Sequence, residues 1–392
     1  MKILVINGGS SSFKCWFHDV AGDLLPIEQP KPLWERHVDW ARGADIRVLL
    51  DPVLASLWSG ADKVIDAPGE IAVVGHRIVH GGNEYRDATF LTPEVRAAIA
   101  RQVEFAPAHN RFELEAIAAV DQILGSGVRQ AAVFDTGFHA TLPPAAYVYP
   151  GPYRWLEQGI RRFGFHGINH RYASRRAAEM LGREPESLRL IVLHLGNGAS
   201  LAAVRAGRSV DTTMGFTPLE GLMMGTRSGS IDPGILLYLL RHGGYTVDQL
   251  DRVLNQESGL LGVSGISGDM REIMAAVDAG NPRAQLAFDV YLHRLTQETG
   301  AMLAVLGGVD ALVFTGGVGE NSPPLRAALS QQLAFLGLQL DSAKNAAPHA
   351  DHDIAAANSA VRVLVVRAGE EWEIARACYR LALNLPSPSP AA

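Results

Sequence analysis

LRLIVLHLGNGAS, residues 188 to 200, is an apolar run of strand length that ends in a turn of small residues carrying His194 and Asn197. Gly196 and Gly198 allow backbone conformations that a side chain forbids and leave bare amides for an anion to approach. Alone, such a string is either an ordinary strand turn or a phosphate cradle. The chain contains it twice. Residues 2 to 17 follow the same plan, with strand KILVIN, turn GGSSS and strand FKCWFH, in which Phe13, Cys15 and Phe17 alternate with Lys14, Trp16 and His18. Period two after a glycine-serine turn is a hairpin signature. Residues 188 to 205 give strand, turn GNGAS and strand LAAVR. The two strings share little beyond turn chemistry, so they read as a structural echo and suggest two halves.

The segments between them add strands IAVVGHRIVH (71 to 80), QAAVFDT (130 to 136), ALVF (311 to 314) and VRVLVV (361 to 366). Asn110 is placed to cap a helix EAIAAVDQIL that Gly125 ends. Asp232, Pro233 and Gly243 supply cap, first-turn proline and terminal glycine for ILLYLLRH, and a longer helix runs from about 283 to 306. Strands followed by helices in this order predict an α/β fold with layered sheets. LPPAAYVYPGPY, residues 142 to 153, has four prolines and three tyrosines without helical period and is the expected domain boundary. The tail LPSPSPAA (385 to 392) is expected to be disordered.

With 392 residues and 47% hydrophobic content the chain can bury a large core. Lys and Arg number 35 against 41 Asp and Glu, a net charge of -6 that disfavours nucleic acid or a membrane surface as the main partner. Cationic sites must then be local. Two distant cysteines, Cys15 and Cys378, exclude a disulfide framework or a zinc knuckle and suit a reducing compartment. MKILVINGG has too short an apolar run for a signal peptide or spanning helix, so the expected location is the cytoplasm.

Walker A, kinase HRD and DFG, HExxH and GxSxG strings are absent. What remains are polar residues at strand ends. Asn7, with Ser10, Ser11, Ser12 and Lys14 about it, is either a solvated hairpin turn or a phosphate or Mg²⁺ contact. His76 and His80 would stand about 13 Å apart along one strand, too far for a shared metal. Arg77 between them is a salt-bridge partner or a carboxylate or phosphate clamp, because its planar fork suits both anions. Asp135 orients an arginine, acts as a base, or simply begins a turn. His166 in FGFHG could be a core histidine, and Arg227, between glycines in MGTRSGSIDP, suggests an anion. TGGVGEN offers backbone amides to a nucleotide. Glu370 or Glu371 in AGEE offers a hard oxygen to Mg²⁺ or caps the helix that follows.

Taken together, INGGSSSFK, GHRIVHGG, APAHN, FDTGFH, FGFHG, HLGNGAS, the long block Ser209 to Pro233, GVSGISGDMRE, FTGGVGEN and GEEWEIAR resemble the acetate kinase family in order and spacing, up to about Arg376. The resemblance implies an α/β fold of the actin, Hsp70 and sugar-kinase superfamily, with two ribonuclease-H-like (actin-like ATPase) domains flanking an active-site cleft. Expected bounds are 1–149, joined by the C-terminal helix 372–384, and 150–371. It implies reversible transfer of the ATP γ-phosphoryl to acetate, giving acetyl phosphate and ADP, with Mg²⁺ (Mn²⁺ as an alternative ion) and a homodimer.

Carried onto matching positions, the resemblance assigns Arg77 to the substrate carboxylate, and His166 and Arg227 to the transferring phosphoryl. Asp135 would orient Arg227 or the bound acid, and His109 and His194 would make secondary phosphate contacts. Val79, Phe165 and Pro218 match the acyl pocket. Asn7 and Glu370 would organise the metal, and Lys14 would touch phosphate. His194, Leu195, Gly196, Asn197 and Gly198 would cradle phosphate; Asp269, Met270, Arg271, Gly317, Val318, Gly319, Glu320 and Asn321 would bind the nucleotide. Ala108 departs from the family's larger residue, which makes propionate a competing substrate, since a methylene is worth about 1–3 kcal/mol of discrimination. AGEE stands where TNEE is usual, and HLGNG rather than HLGGG points away from the butyrate kinase branch.

Overall fold

The computed structural model describes residues 1–8, 12–22, 25–39, 45–104, 107–346 and 351–385; at 104 and 107–109 it describes the backbone alone. The chain divides into two compact units. One comprises Met1–Ala140, Phe165–Tyr172 and the chain from Gly369 onward; the other comprises Thr141–Gly164 and Ala173–Ala368.

The first unit is built on a six-stranded sheet. β1 (Lys2–Gly8), β2 (Ser12–Asp19) and β3 (Trp34–Asp39) form an antiparallel meander, and β4 (Val73–Ile78) runs parallel to β1. β6 (Gln130–Phe134) lies parallel to β4 and carries the short antiparallel β5 (Thr89–Phe90) on its far edge. The order is β3-β2-β1-β4-β6-β5. Ile3–Ile6 of β1 and Ala131–Phe134 of β6 are apolar at every position because sheet interiors covered on both faces select no polar side. Leu4, Ile6, Phe13, Cys15 and Phe17 meet Leu50 and Leu54 of the helix Ile46–Ala55 and Ala116 and Val120 of the helix Pro107–Leu124 in one core. Each large apolar side chain withdrawn from water there contributes about 1.5–3 kcal/mol.

The second unit repeats this plan. β7 (Arg189–Leu195), β8 (Ala199–Arg205) and β9 (Arg208–Thr212) are the meander, β10 (Ala311–Thr315) is parallel to β7, and β12 (Arg362–Val365) is parallel to β10 with β11 (His352–Asp353) antiparallel on its edge. The order β9-β8-β7-β10-β12-β11 matches the first sheet strand for strand. The echo between residues 2 to 17 and 188 to 205 is therefore a duplicated topology. Asn7 pairs with Lys14 across the first hairpin as His194 pairs with Ser200 across the second.

The helix after Asp232 begins as expected, with the Asp232 carboxylate accepting the Gly234 N–H at 2.8 Å and Pro233 in the first turn. Asn281 caps the 25-residue helix Pro282–Leu306. Asn110 is not a cap. The helix starts at Pro107, and Asn110 is fully buried, its Nδ2 donating to the carbonyls of His80 (3.3 Å) and Ile99 (3.4 Å). Local cap chemistry loses here to a tertiary need, the satisfaction of backbone carbonyls inside the core. Cys15 and Cys378 are buried free thiols, and burial pushes Cys378 up to about 12. Among the described residues no helix is long and apolar enough to cross a membrane.

Candidate active site

In the first unit the site grows from the carboxyl ends of β4 and β6. These are adjacent parallel strands with Ile78 opposite Phe134, so the polar residues at their ends are brought side by side. Arg77 donates to Asp135 Oδ2 through Nε (3.0 Å) and Nη2 (2.5 Å), and its Nη1 reaches the Gly8 carbonyl (3.1 Å) at the end of β1. Asp135 is fully buried and the Arg77 side chain is 12% exposed. Burial works against the Arg77 charge, but Asp135 and Glu370 outweigh it and hold the guanidinium pKa above its usual value. Burial pushes Asp135 up, with Arg77 opposing. The arginine that Asp135 pairs with is thus Arg77.

His166 is placed by its neighbour. The Gly167 N–H donates to the Asp135 carbonyl at 2.9 Å, and a Cβ on Gly167 would collide with that carbonyl. Only glycine lets the chain run this close. His166 itself stands at φ 55°, immediately before the helix Gly167–Leu181, a left-handed conformation that costs a non-glycine residue about 1–2 kcal/mol. Such strain clusters where a side chain must be aimed. Phe165 is buried and its ring meets that of His80 edge-on at 5.5 Å; Val79 is buried one residue before His80. His139 hydrogen-bonds the Phe165 carbonyl at 3.0 Å.

The two expected metal residues also converge. Asn7 Nδ2 donates to Glu370 Oε2 (2.9 Å) and to Glu371 Oε1 (3.1 Å), and Glu370 Oε2 lies 3.9 Å from Arg77 Nε. Lys14 Nζ is 3.6 Å from Glu371, which is buried; burial pushes the Glu371 carboxyl up, Lys14 opposing and Glu370 adding. Glu370 is the more exposed of the pair, at 15% against 5% for Glu371. Among the described residues no cluster of three His, Cys, Asp or Glu is set to hold a metal. Mg²⁺ bound through one carboxylate, waters and substrate phosphates needs no such cluster, so the Asn7–Glu370 pair fits it. His109 and Ala108 fall where side chains lie outside the described residues.

In the second unit a cavity of about 910 Å³ opens at the carboxyl ends of β7 and β10. Eight expected nucleotide residues line it: Gly196, Asn197, Asp269, Met270, Arg271, Gly317, Val318 and Asn321. Its size suits a nucleotide-sized ligand. Asp269 caps the helix Met270–Asp278, accepting the Arg271 N–H at 2.8 Å, and pairs with the Arg271 side chain, whose hydrogen bonds hold the Asp269 carboxyl below its usual range. Gly316, at φ 79° with the Leu195 backbone 2.8 Å from where a Cβ would be, turns β10 sharply into Gly317.

Leu195, Gly198 and Glu320 do not line this cavity. Leu195 is fully buried in β7, and Gly198 accepts the Gly196 N–H at 2.9 Å within the turn. The Glu320 carboxylate turns inward to accept the N–H groups of Gly316 (3.1 Å) and Ala368 (2.9 Å); burial pushes its pKa up against those bonds. Arg227 and Pro218 belong to one loop and meet in it, Nη1 donating to the Pro218 carbonyl at 2.8 Å.

Several contributors carry no clear mark in the sequence. Leu260, Met274 and Tyr291 line the cavity, and only Met274 has a local signal, as the i+4 partner of Met270 on one helix face. Glu113 is 2% exposed and accepts the Val79 N–H on both oxygens, at 3.1 and 3.2 Å. Burial pushes its carboxyl up to about 8, with Arg77 and the Val79 amide opposing. No local signal marks it.

A duplicated sheet of this topology, with an arginine-carboxylate pair at the strand ends of one unit and a nucleotide-sized cavity at those of the other, defines a small-molecule kinase of the actin-like ATPase fold. The model of the acetokinase family matches residues 2–376, and the chain belongs to that family. It is 56% identical to the acetate kinase of Gloeobacter violaceus, over 97% of this chain and 99% of that one. Among solved structures it is similar to Porphyromonas gingivalis acetate kinase (38% identity, 96% and 98% coverage, TM-score 0.85). It is also similar to a propionate kinase from Francisella tularensis (33% identity, 98% and 100% coverage, TM-score 0.85).

Proposed function

We propose that the chain catalyses reversible, Mg²⁺-dependent transfer of the γ-phosphoryl of ATP to acetate, giving acetyl phosphate and ADP by direct in-line displacement. The observation that carries this reading is the Arg77–Asp135 pair: a buried guanidinium, held cationic at a strand end of the unit that also buries apolar Val79 and Phe165, is what a small carboxylate with an apolar tail requires. Acetate is already ionised at neutral pH, like Asp and Glu side chains, so no base is needed. Asp135 then serves to aim Arg77.

The transferring phosphoryl spreads charge over three oxygens, and positioned cations are the main catalytic device. His166 and Arg227 supply them, with His194 and His109 as secondary contacts and Lys14 toward phosphate. The Gly196–Gly198 turn cradles phosphate, and the cavity lined by Met270 and Gly317 takes the nucleoside. Asn7 and Glu370 would hold Mg²⁺, or Mn²⁺ in its place, which when bound neutralises phosphate charge. Two buried free thiols suit cytoplasmic work, and the exposed apolar helix Pro233–His242 supports a homodimer.

The test is relative kcat/KM for acetate and propionate, with acyl phosphate trapped as hydroxamate. Acetate is expected to win. The second reading, propionate as preferred substrate, is favoured by Ala108, and a clear propionate preference would establish it. Arg227→Ala is expected to lower kcat by roughly 10²–10³-fold with the fold retained, the scale of losing one charge-stabilising donor. Full activity in that variant overturns the mechanism.

A further inference from the structure

The stretch from Tyr147 to Gly164, which overlaps the proline- and tyrosine-rich segment 142 to 153, is bonded to the loop that carries Pro218 and Arg227. Arg162 Nη1 donates to three successive carbonyls, Thr212 (3.1 Å), Thr213 (2.9 Å) and Met214 (3.0 Å), and Nη2 donates to Glu220 Oε1 (2.8 Å). Tyr149 donates its hydroxyl proton to Glu220 Oε2 and accepts the Phe216 N–H at 2.9 Å. The Phe163 N–H reaches the Gly215 carbonyl at 3.0 Å, and the Phe163 and Phe216 rings pack at 6.2 Å. Gly215 has no room for a Cβ, because Glu220 and the Tyr149 hydroxyl occupy that space.

Three carbonyl dipoles converging on one point repel one another unless a cation sits among them, and here it is Arg162. Asp211 and Glu298 lie within electrostatic reach of the same guanidinium, so it also offsets a local excess of carboxylates. Between β9 and the helix at Pro233 the described backbone has no regular secondary structure, and backbone bonds such as Met224 N–H to the Arg227 carbonyl (3.1 Å) together with side-chain bonds shape these 20 residues. They do so at both ends of the active part. Arg162, Glu220 and Tyr149 hold the base, and the bond from Arg227 to the Pro218 carbonyl holds the tip.

We propose that Arg162, with Tyr149 and Glu220, is a positioning residue for the acyl and phosphoryl-transfer chemistry: it sets the loop on which Pro218 and Arg227 stand. The role rests on the reading of Arg227 as the group that stabilises the transferring phosphoryl. A lysine cannot replace Arg162, because an ammonium lacks the planar fork that serves three carbonyls and a carboxylate together.

The experiment uses the full chain in hydroxamate kinetics, varying acetate and ATP separately, with thermal melts as the measure of folding. Arg162→Lys is expected to lower kcat about 10- to 100-fold, the scale of a displacement near 1 Å, and to raise the acetate KM while the ATP KM stays within about twofold. Glu220→Ala is expected to behave likewise, and Glu220→Gln, which keeps an acceptor for Arg162, to recover most of the activity. The double variant Arg162→Lys/Arg227→Ala is expected to be no slower than Arg227→Ala alone, because the brace acts through Arg227. A merely structural role predicts additive losses in proportion to lowered stability. Tyr149→Phe, missing only a hydroxyl, repeats the comparison should Arg162→Lys not fold. If Arg227→Ala stays active, the reading of Arg227 fails; if it is inactive while Arg162→Lys and Tyr149→Phe keep wild-type kcat and acetate KM, or their losses add to it, the brace is refuted.

Discussion

Replacing Asp135 tests the claim that a buried carboxylate aims the substrate arginine. Both Arg77 bonds, from Nε at 3.0 Å and Nη2 at 2.5 Å, end on the single oxygen Oδ2. In Asp135→Asn the amide oxygen can take that place, keeping shape and both bonds but removing the carboxylate's charge. The guanidinium keeps both bonds charge-assisted, but each now meets a dipole instead of an anion; at about 1 kcal/mol apiece, within the spread for bonds to charged groups, the two together cost about 2 kcal/mol. At about 1.4 kcal/mol per decade that is roughly a 30-fold loss in kcat/KM for acetate. Asp135→Ala goes further, since a guanidinium only 12% exposed loses its main carboxylate, with Glu370 left 3.9 Å away. Breaking a buried pair costs about 3–5 kcal/mol, or 10²- to 10⁴-fold. The assay is hydroxamate trapping with acetate varied at saturating ATP, followed by ATP varied at saturating acetate. Because Asp135 acts on the acid's anchor, the loss should appear mainly as a raised acetate KM, the ATP KM standing unchanged. A general-base role would put the loss in kcat instead. Asparagine at wild-type kcat/KM, or a loss carried by the ATP KM, would refute the reasoning.

Glu113→Gln keeps an acceptor for the Val79 N–H and removes a carboxyl whose pKa stands at about 8 instead of 4.5. A raised carboxyl pKa stabilises the fold below the unfolded value, and that contribution is lost as pH rises from about 4.5 through 8, at most about 1.4 kcal/mol per pH unit. Denaturant unfolding should therefore show wild type losing stability relative to Glu113→Gln as pH climbs through that window; parallel profiles would show that Glu113 is ionised in the fold. Gly167→Ala drives a methyl into the Asp135 carbonyl, a backbone atom that cannot step aside, and should displace His166, lowering kcat by about 10²-fold; unchanged kinetics would mean that the close approach does not set the site. If the proposed homodimer forms on the helix whose Ile235, Leu237, Tyr238 and Leu240 are each 40–63% exposed, Leu237→Glu should lower the mass in light scattering from dimer to monomer, and a monomeric wild type or an unchanged dimer mass in the variant would refute that proposal.

The two leading hairpins are legible in the sequence because their central strands are covered on both faces. An apolar run such as LIVLHL fits little besides a buried strand, and the glycine turn after it has no side chain to pack. β3 is not legible. Glu35, His37 and Asp39 are exposed on one face of this edge strand and Arg36 interrupts Trp34 and Val38 on the other, so WERHVD carries more charge than pattern and resembles a loop. β9 is hidden for a related reason: Arg208 and Asp211 interrupt a five-residue edge strand. Both of these strands close their meanders, so two sheets could be expected while their extent could not.

At the site, the same physics divides what could be found from what could not. Arg77 and Asp135 stand out as charged residues at the carboxyl ends of apolar strands, positions where a packed core gives them no reason to be. Their pairing lies beyond local reading, since 58 residues separate them and only the β4–β6 register joins them. Glu113 and Arg162 are hidden for the opposite reason. A glutamate in an amphipathic helix and an arginine in a polar linker are the commonest ways for a chain to meet water, and periodicity files them there. Their burial is a tertiary fact, made possible by Val79's amide in one case and by three loop carbonyls in the other. Candidate site residues at strand ends break the local pattern, and the residues bonded to them obey it. That asymmetry is why candidates for a site can be named from sequence while the bonds that hold Arg227 in place emerge only with the fold.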